Sequence, residues 1–442
     1  MSLRNILFPI ALTSATLTCT LAATDITQLW GPGSPYFPSG TYTGPPPGCS
    51  VTQVNLIQRH GARFPTSTKA AASVAKLQSV ASYTDPAFDF LNTFKYDLGV
   101  ASLVPFGAQQ SFESGKLMFQ RYETLLTSGS APFVRADSSK RVVDSATNWT
   151  AGFSAASHGA LSPMLTDILS GNDTLDDSSC ANAGSSDNAT SAWLAVYGPP
   201  ITARLNKAAP GANLTNDDMV NIMGLCSFET VASAPFAPGK GASDLQLSPF
   251  CSLFSVAEFK AAEYSSDLDK YYGTGHGGLL GRVQGVGYVL ELIARLTNTP
   301  VPSLVNINTT LDASHATFPL DRTFYVDFTH DNELVAIYAA LGLFKQAVPL
   351  PTTAAVNDGV GKAGQWVASR LVPFSGRMVT EKLRCGAAQG DVVRIFVNDA
   401  LQPLEFCNGG HSKEGLCTLD AFVESQAYSV SGGLGDWDLC FS

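Results

Sequence analysis

Residues 59–66 read Arg59-His60-Gly61-Ala62-Arg63-Phe64-Pro65-Thr66, and far downstream the chain reads Thr329-His330-Asp331-Asn332. An unprotonated imidazole nitrogen can attack phosphorus and form a phosphoramidate that water later hydrolyses, so one hard displacement becomes two easier ones. His60 is the candidate nucleophile. A phosphoryl group in transfer spreads its charge over equatorial oxygens, which the planar, forked and permanently charged donors of arginine match. Arg59 and Arg63 flank His60 for that task, and their charge also disfavours a protonated imidazole. His330 adds a second imidazole, and Asp331 a carboxyl group able to hand a proton to a leaving oxygen. Together these are the groups that attack on a phosphate monoester requires.

The flanking sequence says how they are held. Residues 51–57 are short and rich in branched apolar residues, as a buried strand should be, which puts His60 at a strand's carboxyl end. Residues 323–328 read as a second strand and 334–341 as an apolar helix, with His330 and Asp331 at their junction. Crevices outside the carboxyl ends of strands, faced by helix N-termini, are where open α/β sheets bind anions. Each residue also has a plainer reading. A lone histidine is more often a core residue than a nucleophile, and Asp331 before an apolar run is a favoured N-cap. Arg on one side of His60 and Gly-x-Arg on the other reverse those odds.

The run RHGARFPT together with THDN resembles the histidine acid phosphatases, and the surrounding sequence is similar to the secreted fungal phytases of that family. Further matches are Val142-Val-Asp-Ser after Arg141, Asp269-Lys-Tyr-Tyr-Gly273, Gln284-Gly-Val-Gly-Tyr288 and Leu371-Val-Pro-Phe-Ser-Gly376, so the likeness runs from about Trp30 to the C-terminus. The resemblance implies that Arg59, His60 and Arg63 are a phosphate-binding arginine, the nucleophile and a second arginine. It implies that His330 is a second phosphate-binding histidine and Asp331 the proton donor. Arg141 resembles a third arginine from a separate strand end, with Arg135 an alternative for that place. Lys69 and Lys270 resemble lysines that contact the outer phosphates of inositol hexakisphosphate, although Asp269 stands where some relatives carry another lysine. By residue type alone, both lysines are as readily solvated surface residues. The implied fold is a phosphoglycerate-mutase-like α/β core with a smaller inserted α-helical domain and the active site in the cleft between them. The expected core covers roughly 45–66, 132–165 and 285–442, and the insert roughly 67–131 and 166–284. Helical patterns at 108–127 and 216–223 support the insert, and polar or Pro/Gly-rich 171–190 and 231–248 read as loops.

Arg4, an apolar run over residues 6–21 and a small-residue end at Leu21-Ala22-Ala23 read as a secretory signal peptide over 1–23, leaving a single catalytic unit over 24–442. No later apolar stretch is long enough to span a bilayer. Cys19 would leave with the signal, and the eight remaining cysteines suit a disulfide framework in a secreted chain, with on the order of a hundred possible connectivities. The resemblance implies Cys49–Cys385, Cys180–Cys440, Cys226–Cys251 and Cys407–Cys417. Sequons at Asn148, Asn172, Asn188, Asn213 and Asn308 fit the same compartment.

The net charge of −10 becomes −11 without Arg4. Such acidity argues against nucleic acid as a partner, and it opposes a polyanionic substrate near neutral pH unless carboxylates are protonated, so an acidic extracellular setting is expected. His158, His276, His315 and His411 lack metal-ligand spacing, and no metal or other cofactor is assigned. The expected partner is a small inositol phosphate, met by a monomer with no membrane contact. The favoured activity is stepwise removal of phosphate from inositol hexakisphosphate, with nearest resemblance leaning towards attack at position 6. A broad-specificity acid phosphatase and a non-catalytic secreted glycoprotein are the competitors. A phosphate-transferring mutase shares the RHG core but fits neither the signal nor the His330-Asp331 pair.

Overall fold

The computed structural model describes residues 25–126, 131–168, 173–356, 365–386, 390–407 and 415–442. The expected signal peptide, the sequon at Asn172 and His411 lie outside the described residues. The apolar run 51–57 is the centre of strand β1 (Cys49–Arg59), and 323–328 supplies β4 (Phe324–Thr329). The other strands are β2 (Phe133–Asp137), β3 (Met164–Ile168), β5 (Arg377–Cys385), β6 (Gly390–Val397) and the short β7 (Ala400–Leu401) and β8 (Cys417–Thr418). Their order is β3-β2-β4-β1-β5-β6-β7, with β8 paired to β6. β3, β2, β4 and β1 run parallel, while β5 is antiparallel to β1 and β6 to β5. Arg59 pairs with Thr329 and Ala136 with Phe328, so β1, β4 and β2 end at one edge of the sheet. The residues that follow them, His60, His330 and Ser138, therefore leave the sheet side by side.

Helices cover both faces. They are α1 (Lys69–Gln78), α2 (Pro105–Tyr122), α3 (Lys140–Ala156), α4 (Asp187–Ala208), α5 (Asn216–Ser233), α6 (Val256–Gly273), the short α7 (Gly281–Gln284), α8 (Val286–Thr297), the short α9 (Thr309–Asp312) and α10 (Asp331–Leu341). On one face Val54, Leu56, Val134, Phe324, Val326 and Phe328 pack against Met118 and Tyr122 of α2 and Trp149 and Phe153 of α3. The period of two in β4 is what presents these residues together. Helix α2, which the sequence pattern groups with the insert, is thus packed on the sheet. The opposite face packs Ile57, Met378 and Ile395 against Tyr288 and Leu292 of α8 and Val335 and Tyr338 of α10.

That second face also buries a charged cluster. Asp327 of β4 accepts from Arg135 Nε at 2.7 Å and from Arg295 Nη1 at 2.5 Å, and Arg135 also pairs with Glu291 of α8. Beyond the sheet, α1, α4, α5 and α6 pack through Val74, Leu77, Tyr197, Leu205, Ile222, Tyr264 and Leu268. Capping boxes start α5 (Thr215 with Asp218) and α6 (Ser255 with Glu258), each satisfying two otherwise orphaned backbone donors. All four disulfides implied by the resemblance are present. Among the described residues no helix is long and apolar enough to cross a membrane.

Candidate active site

His60 follows β1 and is buried. Its Nδ1 lies 2.8 Å from the Gly61 carbonyl oxygen. A carbonyl only accepts, so Nδ1 carries the proton and Nε2 keeps its lone pair. Burial pushes the His60 pKa well below its ordinary value, with Arg59, Arg63 and His330 adding to the fall. The unprotonated, nucleophilic form is therefore favoured even in acid. The loop is anchored from both covering helices: Gly61 N–H donates to Ser145 Oγ of α3 at 3.0 Å, and Ala62 N–H to Gln110 Oε1 of α2 at 2.9 Å. A Cβ on Gly61 would meet the Gly107 carbonyl oxygen at 2.1 Å, which is why this place between two histidine-flanking arginines takes no side chain.

Arg59 ends β1. Its Nη1 donates to the carbonyls of Pro32 and Val372 at 2.5 and 2.7 Å, and its guanidinium carbon lies 4.7 Å from the Phe374 ring centroid. Arg63 donates to the Phe64 carbonyl at 3.0 Å, and burial together with Arg59 pushes its pKa down to about 10, leaving it charged in acid. Arg141, in the first turn of α3, donates from Nη2 to His330 Nδ1 at 3.1 Å. Arginine cannot accept, so His330 accepts at Nδ1 and donates from Nε2 to Asp137 Oδ2 at 2.9 Å. The rings of His60 and His330 are 5.7 Å apart. Arg135 is instead locked in the cluster with Asp327 and Glu291, so the structure puts Arg141 and not Arg135 beside the histidines. Among the described residues neither Arg63 nor Arg141 has a carboxylate at ion-pairing distance.

Asp331 opens α10, where the helix dipole favours a carboxylate. Burial alone would raise its pKa, but Arg59 at 3.6 Å and Lys270 at 2.8 Å outweigh burial and hold it well below the usual carboxylate range. Lys270 is buried as well: its Nζ reaches Asn332 Oδ1 at 2.6 Å and Asp269 at 3.4 Å in addition to Asp331. Burial opposes its charge, yet Asp331 and Asp269 raise its pKa above the ordinary lysine value. Lys69 is exposed at the start of α1, and no hydrogen bond or ion pair among the described residues joins it to the cluster.

Three neighbours escape the sequence reading. Asp137, at the end of β2, orients His330; Phe374, in the turn before β5, lies against Arg59 and 6.2 Å from the His60 ring. The signal for Phe374 was the Leu371–Gly376 match, which carries no chemistry by type. Asp177 is the third. Burial raises its carboxyl, with Asp331 adding to the rise against the pull of His330. Glu333, in the first turn of α10, is raised well above its ordinary value by burial, with Asp177 adding to the rise. Among the described residues no group of three or more His, Cys, Asp or Glu is arranged to hold a metal ion. His276 donates to the Leu343 carbonyl, and His315 pairs with Asp321, both away from the cluster.

A family model described as the histidine phosphatase superfamily (branch 2) matches residues 50–398. Phytase A of Emericella nidulans is 37% identical over 437 residues, covering 95% of this chain and 91% of the relative. Phytase A of Aspergillus fumigatus is 38% identical over 435 residues, covering 94% and 90%. Among solved structures, the phytase from D. castellii superposes with a TM-score of 0.74 at 23% identity, over 94% of this chain and 89% of that one. The Bifidobacterium longum multiple inositol polyphosphate phosphatase in complex with inositol hexasulfate gives 0.63 at 13% identity, over 90% and 97%. At such identities the structural likeness speaks to the fold.

Proposed function

The chain belongs to branch 2 of the histidine phosphatase superfamily, and from that membership we propose that it acts as a phytase, a phosphoric monoester hydrolase that removes phosphate from inositol hexakisphosphate. The observation that carries the reading is His60 Nε2, free of a proton by its tautomer and surrounded by guanidinium groups that exceed the carboxylates facing them. A dianionic phosphate supplies the missing negative charge.

The residues divide the reaction as follows. Arg59, Arg63, Arg141 and His330 bind the phosphate and stabilise charge on its equatorial oxygens. His60 Nε2 attacks; the phosphorus–nitrogen bond forms as the bond to the alcohol oxygen breaks, and Asp331 gives that oxygen its proton. Asp331, now a carboxylate, takes a proton from the water that cleaves the phosphohistidine, releasing inorganic phosphate and restoring His60. Asp331 is ionised in the free site, so the incoming phosphate anion must raise its pKa, and acidic solution assists. Lys270 steadies Asp331, while exposed Lys69 reaches the outer phosphates. Four disulfides support an oxidising, extracellular setting. Phosphate release from inositol hexakisphosphate between pH 3 and 7 tests the reading: the intact chain should turn over in acid, and His60→Ala should lose about 10⁴-fold or more in kcat. No release by the intact chain at any of these pH values would reject it.

A further inference from the structure

The tautomer of His60 hangs on one carbonyl. Nδ1 keeps the proton because the Gly61 oxygen, which only accepts, lies 2.8 Å away. Were that oxygen to turn aside, this bond would no longer favour Nδ1, and the tautomer with its proton on Nε2 has no lone pair there to offer phosphorus. Glycine is the residue least able to fix the direction of the peptide that follows it, since it has no Cβ to restrict the backbone. The constraint must come from outside the loop.

It comes from α2. The Gly61 carbonyl and the Ala62 N–H are two ends of one planar peptide group, and in a trans peptide they point opposite ways. Gln110 Oε1 accepts from the Ala62 N–H at 2.9 Å, so drawing the N–H towards α2 turns the carbonyl towards the His60 ring. The Gln110 amide, the 61–62 peptide and the imidazole thus form a chain of two hydrogen bonds that ends at Nδ1, and each bond in such a chain polarises the next. The amide fits only this way round, because its Nε2 against the Ala62 N–H would set donor against donor. The base is firm: Val104 N–H, at the head of α2, donates to the Ala62 carbonyl at 3.0 Å, and Ala62 is buried.

The other end of the amide is a second, independent sign. Gln110 Nε2 is buried and has no hydrogen-bond partner among the described residues. An unpaired buried donor costs stability, which leucine or methionine at this place would avoid. What glutamine adds over either is the acceptor.

We propose that Gln110 is a positioning residue for phosphoryl transfer: acting through the 61–62 peptide, it fixes His60 as the tautomer protonated at Nδ1 and keeps Nε2 ready to attack. Its consequence for turnover rests on the phosphatase reading, whereas the tautomer itself does not.

The test reads the two separately. Histidine labelled with nitrogen-15 in the ring reports the tautomer by NMR without substrate, and His60→Ala identifies the signal among the six histidines. The intact chain should carry the His60 proton on Nδ1. Gln110→Leu should move a substantial share to Nε2 and lower kcat on inositol hexakisphosphate about tenfold with KM changed by less than about twofold, since the phosphate-binding groups are untouched. Gln110→Glu retains an acceptor and should recover most of the loss. If Gln110 only packs, a buried carboxyl is the more damaging change and leucine the milder one, so that order of effects would overturn the proposal. An unaltered His60 tautomer in Gln110→Leu would overturn it as well. Gln110→Met, unbranched and of similar length, replaces the leucine variant should that fail to fold. A tautomer shift in a chain that releases no phosphate would uphold the role of Gln110 and reject the phosphatase reading.

Discussion

Two arginine clusters stand on the same sheet a few residues apart, and they differ in how their charge is met. Arg135 and Arg295 face Asp327 and Glu291, two cations against two anions, all nearly inaccessible to solvent. Arg59, Arg63 and Arg141 gather around His60 and His330, and Asp331, the carboxylate at ion-pairing distance from Arg59, is shared with Lys270. A balanced buried cluster is finished in the folded chain. An unbalanced one is finished only when an anion arrives. His60 is pushed down and Asp331 held down, each for a chemical task. The difference separates the structural arginines from those proposed to bind phosphate where residue type cannot.

Substitutions in the two clusters should therefore fail in different ways. The largest effect expected is on stability: Arg135→Ala strands Glu291, leaves Asp327 to Arg295 alone and should cost about 3–5 kcal/mol in chemical unfolding, while the folded fraction keeps its kcat. Arg141→Ala should do the reverse, lowering kcat/KM by roughly a hundred- to a thousandfold with the unfolding midpoint nearly unmoved. Should Arg141→Ala unfold the chain and Arg135→Ala silence it, the division is wrong. Asp331→Asn keeps the shape and removes the proton, so turnover of inositol hexakisphosphate should drop roughly a hundredfold while nitrophenyl phosphate, with its good leaving group, suffers far less. Equal losses on both substrates would remove the proton-donor role.

Smaller effects sharpen the picture. Arg63 is among the charges that depress His60. Arg63→Gln should therefore raise the His60 pKa, protonate more of it at a given acidic pH, and move the acid limb of kcat/KM towards neutrality, besides raising KM roughly tenfold. An unmoved acid limb would mean that another group sets it. Lys69→Ala should raise KM for inositol hexakisphosphate only a fewfold, about 1 kcal/mol for an exposed contact, with the effect fading in salt. If it changes nothing at low salt, Lys69 is solvated surface.

Much of this was legible in the sequence where local pattern and chemistry coincide. The strands at 51–57 and 323–328 are short stretches rich in apolar residues because both faces of the sheet are covered, and a strand end beside RHG or THD places those residues at the crevice. Three features were not legible. Arg135 and Arg141 lie six residues apart in one segment, and only the position of Arg135 inside β2, facing α8, against that of Arg141 in the first turn of α3, tells them apart. Lys270 reads by type as solvent- or phosphate-facing, yet its Nζ is held by Asp331 and Asn332 from α10, a pairing across 61 and 62 residues of chain that no local pattern encodes. Helix α2 was similarly hidden, since its amphipathic pattern does not say which surface its apolar side covers.

The central claim is that His60 Nε2 takes the phosphoryl group. Acid-free rapid quenching during turnover of radiolabelled inositol hexakisphosphate, followed by peptide mapping, tests it directly. The account predicts label on the peptide containing His60, stable to base, lost in mild acid and absent from His60→Ala. Label on another residue, or undiminished labelling and turnover in His60→Ala, would contradict it.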